Sequence, residues 1–144
     1  EITSHFTSPP FIQMETDKPG IRKLVSSNEI LGGPASFNVV ATTGKFYQDN
    51  PKLVAVFMQA MQAATDIINR DKRAAAETYL RLTKGKQSVD EMLKIIGDPA
   101  IEYTLNPRNV LPFVDFMYRT GTIKVKPESW KDMFFPVAHS QQGS

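Results

Sequence analysis

The sequence predicts an α/β fold in which a short strand-and-loop segment is followed by four or five α-helices. Two observations lead to this prediction. Residues 1–45 contain short apolar pieces separated by proline and glycine, which is typical of strands joined by turns. From Asn50 onward, apolar residues recur at steps of three and four positions, which is the period of an amphipathic helix.

Three pieces of the N-terminal segment have the composition of strands: residues 2–6, 21–25 and 37–42. The third is the strongest, because Val39, Val40 and Ala41 stand in a row. A short continuous apolar run is typical of a strand that is buried on both faces of a sheet. Three short strands make a thin sheet for several helices, so we expect part of the fold to lie outside this sequence.

The first two helices have clear start and stop signals. Asn50 is a favoured N-cap and Pro51 a favoured first helical residue, so a helix is predicted from there to about Arg70. A second helix covers residues 74–82 and stops near Gly85. The apolar stripe of the first helix consists of Leu53, Phe57, Ala60, Met61, Ala64, Ile67 and Ile68.

Three further helical pieces follow. Residues 88–91 match a capping box, which predicts a short helix that ends at Gly97. The Asn-Pro pair at 106 and 107 is predicted to open a longer helix that Gly121 ends. Residues 129–135 form a short amphipathic turn, and the polar residues 139–144 are predicted to be frayed.

The composition of the 144-residue chain excludes several classes of protein. Its 17 basic and 15 acidic residues leave a net charge of +2, which gives no electrostatic reason to expect nucleic acid or an anionic membrane as partner. The absence of cysteine excludes disulfides and thiolate chemistry. No apolar run reaches the roughly 20 residues of a bilayer span. No signal peptide opens the chain, and its abrupt start at Glu1 is interpreted as a cut within a longer protein.

Several motifs, in this order and spacing, resemble the solute-binding proteins of the nitrate, sulfonate and taurine ABC importers, a group that includes proteins similar to the thiamine-pyrimidine-precursor type. The resemblance covers nearly the whole chain. No single motif is diagnostic. The similarity rests on the order and spacing of all the motifs together. The motifs are SHFTSPPF at 4–11, ILGGP at 30–34, FNVVAT at 37–42, YTLNP at 103–107, GTI at 121–123 and WKDMF at 130–134.

The resemblance implies a type II periplasmic-binding-protein-like fold with two lobes, of which this chain is the C-terminal half. Residues 1–36 are expected to be the end of the second lobe and the approach to the hinge. Residues 37–144 are expected to be the hinge strand and the helices that complete the first lobe. The implied function is capture of a small, anionic or sulfonate-like solute between the lobes and its delivery to an ABC permease in the inner membrane. The implied location is periplasmic or otherwise extracytoplasmic, and no cofactor is implied.

The candidate ligand-binding residues lie in two loops at predicted strand ends, where clefts form in α/β folds. His5 has an alternative interpretation as a polar residue that packs beside Phe6, and hydroxyl residues before Pro-Pro are also ordinary loop chemistry. Gly32 and Gly33 fit either a backbone anion nest or a simple hinge turn, of which the hinge turn is favoured. The predicted set is His5, Phe6, Thr7, Ser8, Pro9, Ser36 and Asn38.

The sequence does not predict an enzyme. His5 and His139 are far apart, no nucleophile-elbow, P-loop or zinc-protease motif occurs, and no cluster of metal ligands is present. Two alternatives stay open: a thiamine-pyrimidine-precursor-type protein and a helical protein-interaction module. The apolar stripes at 53–64 and 110–117 need cover, so either a homodimer or an N-terminal half outside this sequence is expected over the helices.

Overall fold

The computed structural model describes residues 2–144, and within them the regular structure is helical. Most of the helical residues lie in three consecutive helices in the middle of the chain. Two short 3-10 turns, Trp130–Met133 and Pro136–Ala138, follow the last helix. The α-helices are α1 (Phe11–Thr16), α2 (Ser27–Leu31), α3 (Gly44–Asp49), α4 (Pro51–Arg70), α5 (Lys72–Thr83), α6 (Val89–Ile96) and α7 (Leu111–Arg119).

The predicted α/β class, and with it the type II periplasmic-binding-protein-like fold, is wrong for this structure. The described residues contain no strand and no sheet, so the hinge strand expected at 37–42 is not formed. Strands are held by backbone hydrogen bonds to a neighbouring strand, and short isolated pairs are marginal in water. Apart from a turn bond from the N–H of Ile21 to the carbonyl of Lys18, no backbone hydrogen bond joins residues 2–6, 21–25 or 37–42 to another segment of the described chain. The predicted division at residue 36 stays a prediction.

The three central helices predicted from the sequence are confirmed. α4 begins at Pro51 and ends at Arg70, as predicted. α5 is capped by Asp71, whose carboxylate accepts a hydrogen bond from the N–H of Ala74 at 2.9 Å. In the capping box of α6, the N–H of Glu91 donates to Ser88 Oγ at 3.2 Å and the N–H of Ser88 donates to Glu91 Oε2 at 2.7 Å.

α7 begins at Leu111, later than the start predicted at 106 and 107. The backbone of residues 107–110 instead forms hydrogen bonds with a distant part of the chain. The carbonyl of Pro107 accepts from the N–H of Ser144 at 3.0 Å, and Asn109 has a φ of 48°, which lies outside the right-handed helical region. The start signal at Pro107 was therefore overridden by a contact with the end of the described chain.

The hydrophobic core is small and lies where α5 packs against α6. Ala76, Met92 and Ile96 are buried there, and α4 lies against α5. The partly buried residues that pack around this cluster are Ile68, Leu80, Val89, Ile95 and Tyr103. The three central helices therefore form the best-packed part of the molecule.

The chain exposes an unusually large surface for its mass. Its accessible area is 11112 Å², whereas a compact folded monomer of 16.1 kDa is expected to expose about 7,400 Å². The excess includes large apolar side chains in irregular segments, such as Phe37 and Val40, and on α4, such as Leu53 and Val56. None of the described helices is long and apolar enough to cross a membrane. The exposed apolar surface therefore calls for cover by another surface.

Candidate functional site

The loop between α6 and α7, residues 97–110, connects most parts of the described chain. On one side it is bonded to α1, where Gln13 Nε2 donates to Asp98 Oδ2 at 2.8 Å. On another it is bonded to α4, where Asn69 Nδ2 donates to the carbonyl of Tyr103 at 2.9 Å. We call residues 97–110 the connecting loop. Polar groups from distant parts of the sequence therefore meet on this loop.

The segment that follows α2 is joined to the connecting loop through Ser36 and Arg108. The N–H of Ser36 donates to the carbonyl of Arg108 at 2.8 Å, and the N–H of Arg108 donates to Ser36 Oγ at 2.9 Å. Beside them, Asn109 Nδ2 donates to the carbonyl of Leu31 at 2.9 Å. This reciprocal bonding fixes the Ser36 hydroxyl beside the backbone of Arg108.

The end of the described chain is docked on the same loop, although residues 139–144 were predicted to be frayed. Besides its bond to Pro107, Ser144 accepts a hydrogen bond at its carbonyl from the N–H of Val110 at 3.1 Å. Its hydroxyl accepts from the N–H of Asn109 at 3.0 Å. Just before it, Gly143 lies against the indole ring of Trp130. The prediction of a frayed tail is therefore wrong, since these residues satisfy backbone groups of the connecting loop.

Two buried polar atoms at the connecting loop have no hydrogen-bond partner within the described residues: Gln13 Oε1 and Arg108 Nε. The Arg108 guanidinium is already held on one side, since its Nη2 donates to Glu102 Oε1 at 3.1 Å. Buried polar atoms without partners are rare in folded proteins, because each forgoes the hydrogen bond that it made in water. An unpaired Nε–H of an always-charged guanidinium calls for an acceptor, and an anionic one is preferred.

Tyr103 in the connecting loop is half-buried among α4, α5 and the loop. Burial raises the pKa of its phenol above the ordinary value, so the ring stays neutral. The ammonium group of Lys72 lies 5.0 Å from the centre of the ring, within the range of a cation–π contact. Tyr103 therefore fixes the loop to the helices and does not contribute a charge.

The predicted ligand residues at 5–9 lie on the segment that leads into α1. His5 Nδ1 lies 2.8 Å from Glu15 Oε1, so α1 orients the imidazole, and the ring stays exposed. The neighbouring Phe6 is 92% exposed. The hydroxyls of Thr7 and Ser8 make no hydrogen bond among the described residues, and Pro9 is exposed. These side chains are accessible to a ligand, and no hydrogen bond joins them to Ser36.

The predicted residues around the second loop have different surroundings. Ser36 is bonded to the connecting loop, whereas Asn38 is exposed and makes no hydrogen bond in the described chain. Gly32 has a φ of 75° and ends α2, and the N–H of Gly33 donates to the carbonyl of Asn28 at 2.8 Å. The glycine pair therefore serves as a helix C-cap, which accounts for it without an anion nest.

Sequence reasoning missed three side chains that the structure assembles: Gln13, Asp98 and Arg108. Asp98 precedes a proline, a combination that is ordinary at a helix start, and Arg108 belongs to no motif. Nothing in their spacing indicates a contact, because they are joined to residues as many as 85 positions away. No signal in the sequence could have indicated them, because their contacts form between segments that meet only in the folded chain.

The rest of the described surface offers little enclosure. Two open depressions lie elsewhere, one around Asp115, Tyr118 and Lys126 and the other at the start of α4. Within residues 2–144, no group of three or more histidine, cysteine, aspartate or glutamate side chains could hold a metal ion. No family model, curated protein or solved structure matches the chain.

Proposed function

We propose that this chain is the solute-binding component of an ABC importer, which captures a small anionic or sulfonate-like solute outside the cytoplasm and delivers it to a membrane permease. The observation that carries the proposal is the buried Nε–H of Arg108, which has no partner among the described residues. The similarity of the motifs supports the class of protein. The Nε–H of this guanidinium, which lacks a partner, supports an anion as the ligand.

Recognition of the solute would centre on the connecting loop. A guanidinium presents its N–H groups in a planar fork that matches nitrate, sulfonate and carboxylate oxygens. Nη2 of Arg108 is held by Glu102, and its Nε–H, which has no partner among the described residues, would donate to a solute oxygen once the atoms that cover it move aside. The free hydroxyls of Thr7 and Ser8 lie on the segment that Gln13 anchors to the same loop, and they can donate further hydrogen bonds.

The apolar surface beside these groups would select the rest of the solute. Small-molecule sites combine a few polar groups with an apolar wall, and the exposed side chains of Phe6 and Phe37 are of the kind that forms such a wall. Because the described residues leave this surface open, the rest of the wall would come from another surface that packs against it. Binding is therefore expected to be weak for the 144-residue chain alone.

The test is a titration of the chain with four probes: sodium nitrate, methanesulfonate, taurine and benzoate. Trp130 is the sole tryptophan in the sequence, and its fluorescence reports on the site because Gly143 joins its ring to the connecting loop. Saturable binding of at least one probe is expected. Arg108→Gln, which removes the guanidinium, should weaken it at least tenfold, as expected for loss of a charged hydrogen bond.

The matched control is Arg81→Gln, which removes an exposed arginine of α5 that makes no hydrogen bond or ion pair in the described chain. It should leave binding unchanged. Equal loss in both variants would indicate an effect of net charge alone. Failure of all four probes to bind at millimolar concentration, or unchanged binding in Arg108→Gln, would contradict the proposal.

A helical protein-interaction module is the second candidate, and the exposed apolar face of α4 favours it. This function needs no small ligand, so it predicts that the four probes fail and that the chain binds a protein through α4. The thiamine-pyrimidine-precursor-type alternative predicts instead that the bound molecule is changed. Mass spectrometry of each probe before and after incubation with the chain separates this alternative from simple capture.

A further inference from the structure

α4 has two apolar faces, of which one is partly covered and the other is exposed. The partly buried face lies towards the neighbouring helices and contains Val54, Met58, Met61, Thr65 and Ile68. On the other face, Leu53 is 55% exposed, Val56 60%, Phe57 44% and Ile67 49%. A helix that is apolar on two faces is typical of an element that lies between two packing partners.

The exposed face has the spacing of a helix-pairing seam. Positions 53, 57, 60, 64 and 67 follow steps of four and three residues, which is the heptad pattern of knobs-into-holes packing. Val56 and Ala63 flank this row. At 3.6 residues per turn, all seven positions lie within about 60° of the direction of Ala60. The result is a narrow apolar stripe along a helix of 20 residues, which is about 30 Å long.

The side chains on the two halves of this seam are complementary in size about Ala60. In an antiparallel pair with a two-fold axis at Ala60, Leu53 opposes the partner's Ile67. Val56 opposes the partner's Ala63, and Phe57 opposes the partner's Ala64. Each large side chain in the middle of the seam thus meets a small one, and the two Ala60 residues allow the backbones to approach closely at the axis. A surface that complements itself in this way is what a two-fold interface requires.

We propose that the exposed face of α4 pairs two copies of this chain as an antiparallel helix dimer centred on Ala60. The flanking charges agree with this arrangement. Lys52 and Asp66 lie on the same flank of α4, and the two-fold axis brings each Lys52 beside the partner's Asp66.

The chain as a whole exposes more surface than a compact protein of its mass, and the open face of α4 is part of that surface. Stable interfaces bury about 800 Å² on each partner, and this chain exposes roughly 3,700 Å² more than a compact chain of its mass. The dimer does not depend on the proposed solute site, which lies on the connecting loop. The failure of either proposal therefore leaves the other in place.

Sedimentation velocity of the 144-residue chain tests the pairing. The wild-type chain is expected to sediment as a dimer at micromolar concentration. Ala60→Lys sets two like charges at the axis and should shift the chain to a monomer by at least a tenfold increase in dissociation constant. Lysine is nearly as good a helix former as alanine, so the far-ultraviolet circular dichroism should not change.

The matched control is Ala55→Lys, which adds the same charge on an exposed position about 140° away from the seam. It should remain a dimer. Because the sequence contains no cysteine, Ala60→Cys should form a disulfide-linked dimer on mild oxidation, whereas Ala55→Cys should not. Lys52→Asp and Asp66→Lys should each weaken the dimer, and the double variant should recover it.

Four outcomes would overturn the proposal. If the wild-type chain stays monomeric at about 100 μM, the exposed face of α4 does not pair two copies of this chain. A dimer that Ala60→Lys does not affect lies on another surface. Equal disulfide linkage from positions 55 and 60, or double-variant recovery that fails while both single variants weaken the dimer, excludes the antiparallel register.

Discussion

At Gly143, a single added carbon atom would prevent residues 143 and 144 from packing against the connecting loop. A Cβ at this position would overlap atoms of the Trp130 indole ring, whereas a Cβ at Gly44 would meet nothing within 4 Å. We therefore expect Gly143→Ala to displace residues 143 and 144 from the connecting loop, at a cost of about 1–3 kcal/mol in the free energy of unfolding. Urea unfolding followed by Trp130 fluorescence measures this cost.

Gly44→Ala is the control for this prediction. Gly44 opens α3 with open space around it and no positive φ, so alanine there should be neutral or stabilise by up to about 1 kcal/mol. Equal stability of the Gly143→Ala variant and the wild type would indicate that the docked end contributes nothing to the fold.

Glu91 provides a pH prediction at the residue scale. The backbone N–H of Ser88, and next its hydroxyl, lower the pKa of Glu91 below the ordinary value, and Lys94 contributes least. The charged carboxylate is therefore favoured in the folded state. Its stabilising effect on α6 is fully present above the ordinary glutamate pKa of about 4.3 and is lost as the pH falls through the lowered pKa.

Carboxyl-carbon NMR titration of Glu91 in three variants tests the ranking of these causes. Ser88→Pro removes both hydrogen-bond donors, and the φ of −69° at Ser88 suits proline. It should raise the pKa of Glu91 most, Ser88→Ala should raise it less, and Lys94→Gln least. A different order would mean that the capping box does not set this pKa.

At the residue scale, the sequence indicated the capping box of α6 but not the polar contacts of the candidate site. Ser88 and Glu91 are three positions apart, so their pairing follows from local geometry. Ser36 and Arg108 are 72 positions apart, and no local rule brings them together. Ser36 was predicted as a ligand residue, whereas its structural partner Arg108 was not.

At the element scale, two helices with the same cap differ in what they contribute to stability. α2 and α6 both have a complete serine–glutamate capping box. Only α6 contributes buried residues, namely Met92 and Ile96, to the core. α2 has five residues and buries none of them. The same motif therefore stabilises the whole fold in one helix and a local turn in the other.

This difference gives a prediction with an internal control. Ser88→Ala should lower the free energy of global unfolding by about 1 kcal/mol, because α6 belongs to the core. Ser26→Ala removes the same motif from α2 and should leave global unfolding unchanged within about 0.3 kcal/mol, with fraying confined to α2. Denaturant unfolding measures both values. A loss in Ser26→Ala as large as in Ser88→Ala would show that α2 unfolds together with the core.

The contrast between helices and strands at this scale has a physical cause. α4, α5 and α6 were predicted because a helix satisfies its own backbone within four residues, and its signals are local. The apolar run at 37–42 could not become a strand in the same way, because a strand needs a neighbour for its backbone groups. The short helices α1, α2 and α3 were missed, since six residues or fewer carry little periodic signal.

At the scale of the whole molecule, stability should be strongly graded along the chain. Amide hydrogen exchange is expected to be slowest in α5 and α6, which surround Ala76 and Met92. The amides of residues 37–42 donate no backbone hydrogen bond in the described chain, so they should exchange at nearly unprotected rates. Slow exchange at 37–42 in the wild-type chain would contradict the structure and would indicate that this segment pairs with another surface in solution.

The sequence by itself determined where the long central helices begin and end, because caps and apolar periodicity act over four to eight residues. It also indicated that the apolar stripes exceed what this chain can cover, which agrees with the large exposed surface of α4. The tertiary structure alone decided the late start of α7, the docking of Ser144 and the union of Ser36 with Arg108. These features depend on hydrogen bonds between groups that are far apart in the sequence and meet only once the helices have packed. No local sequence pattern predicts such contacts.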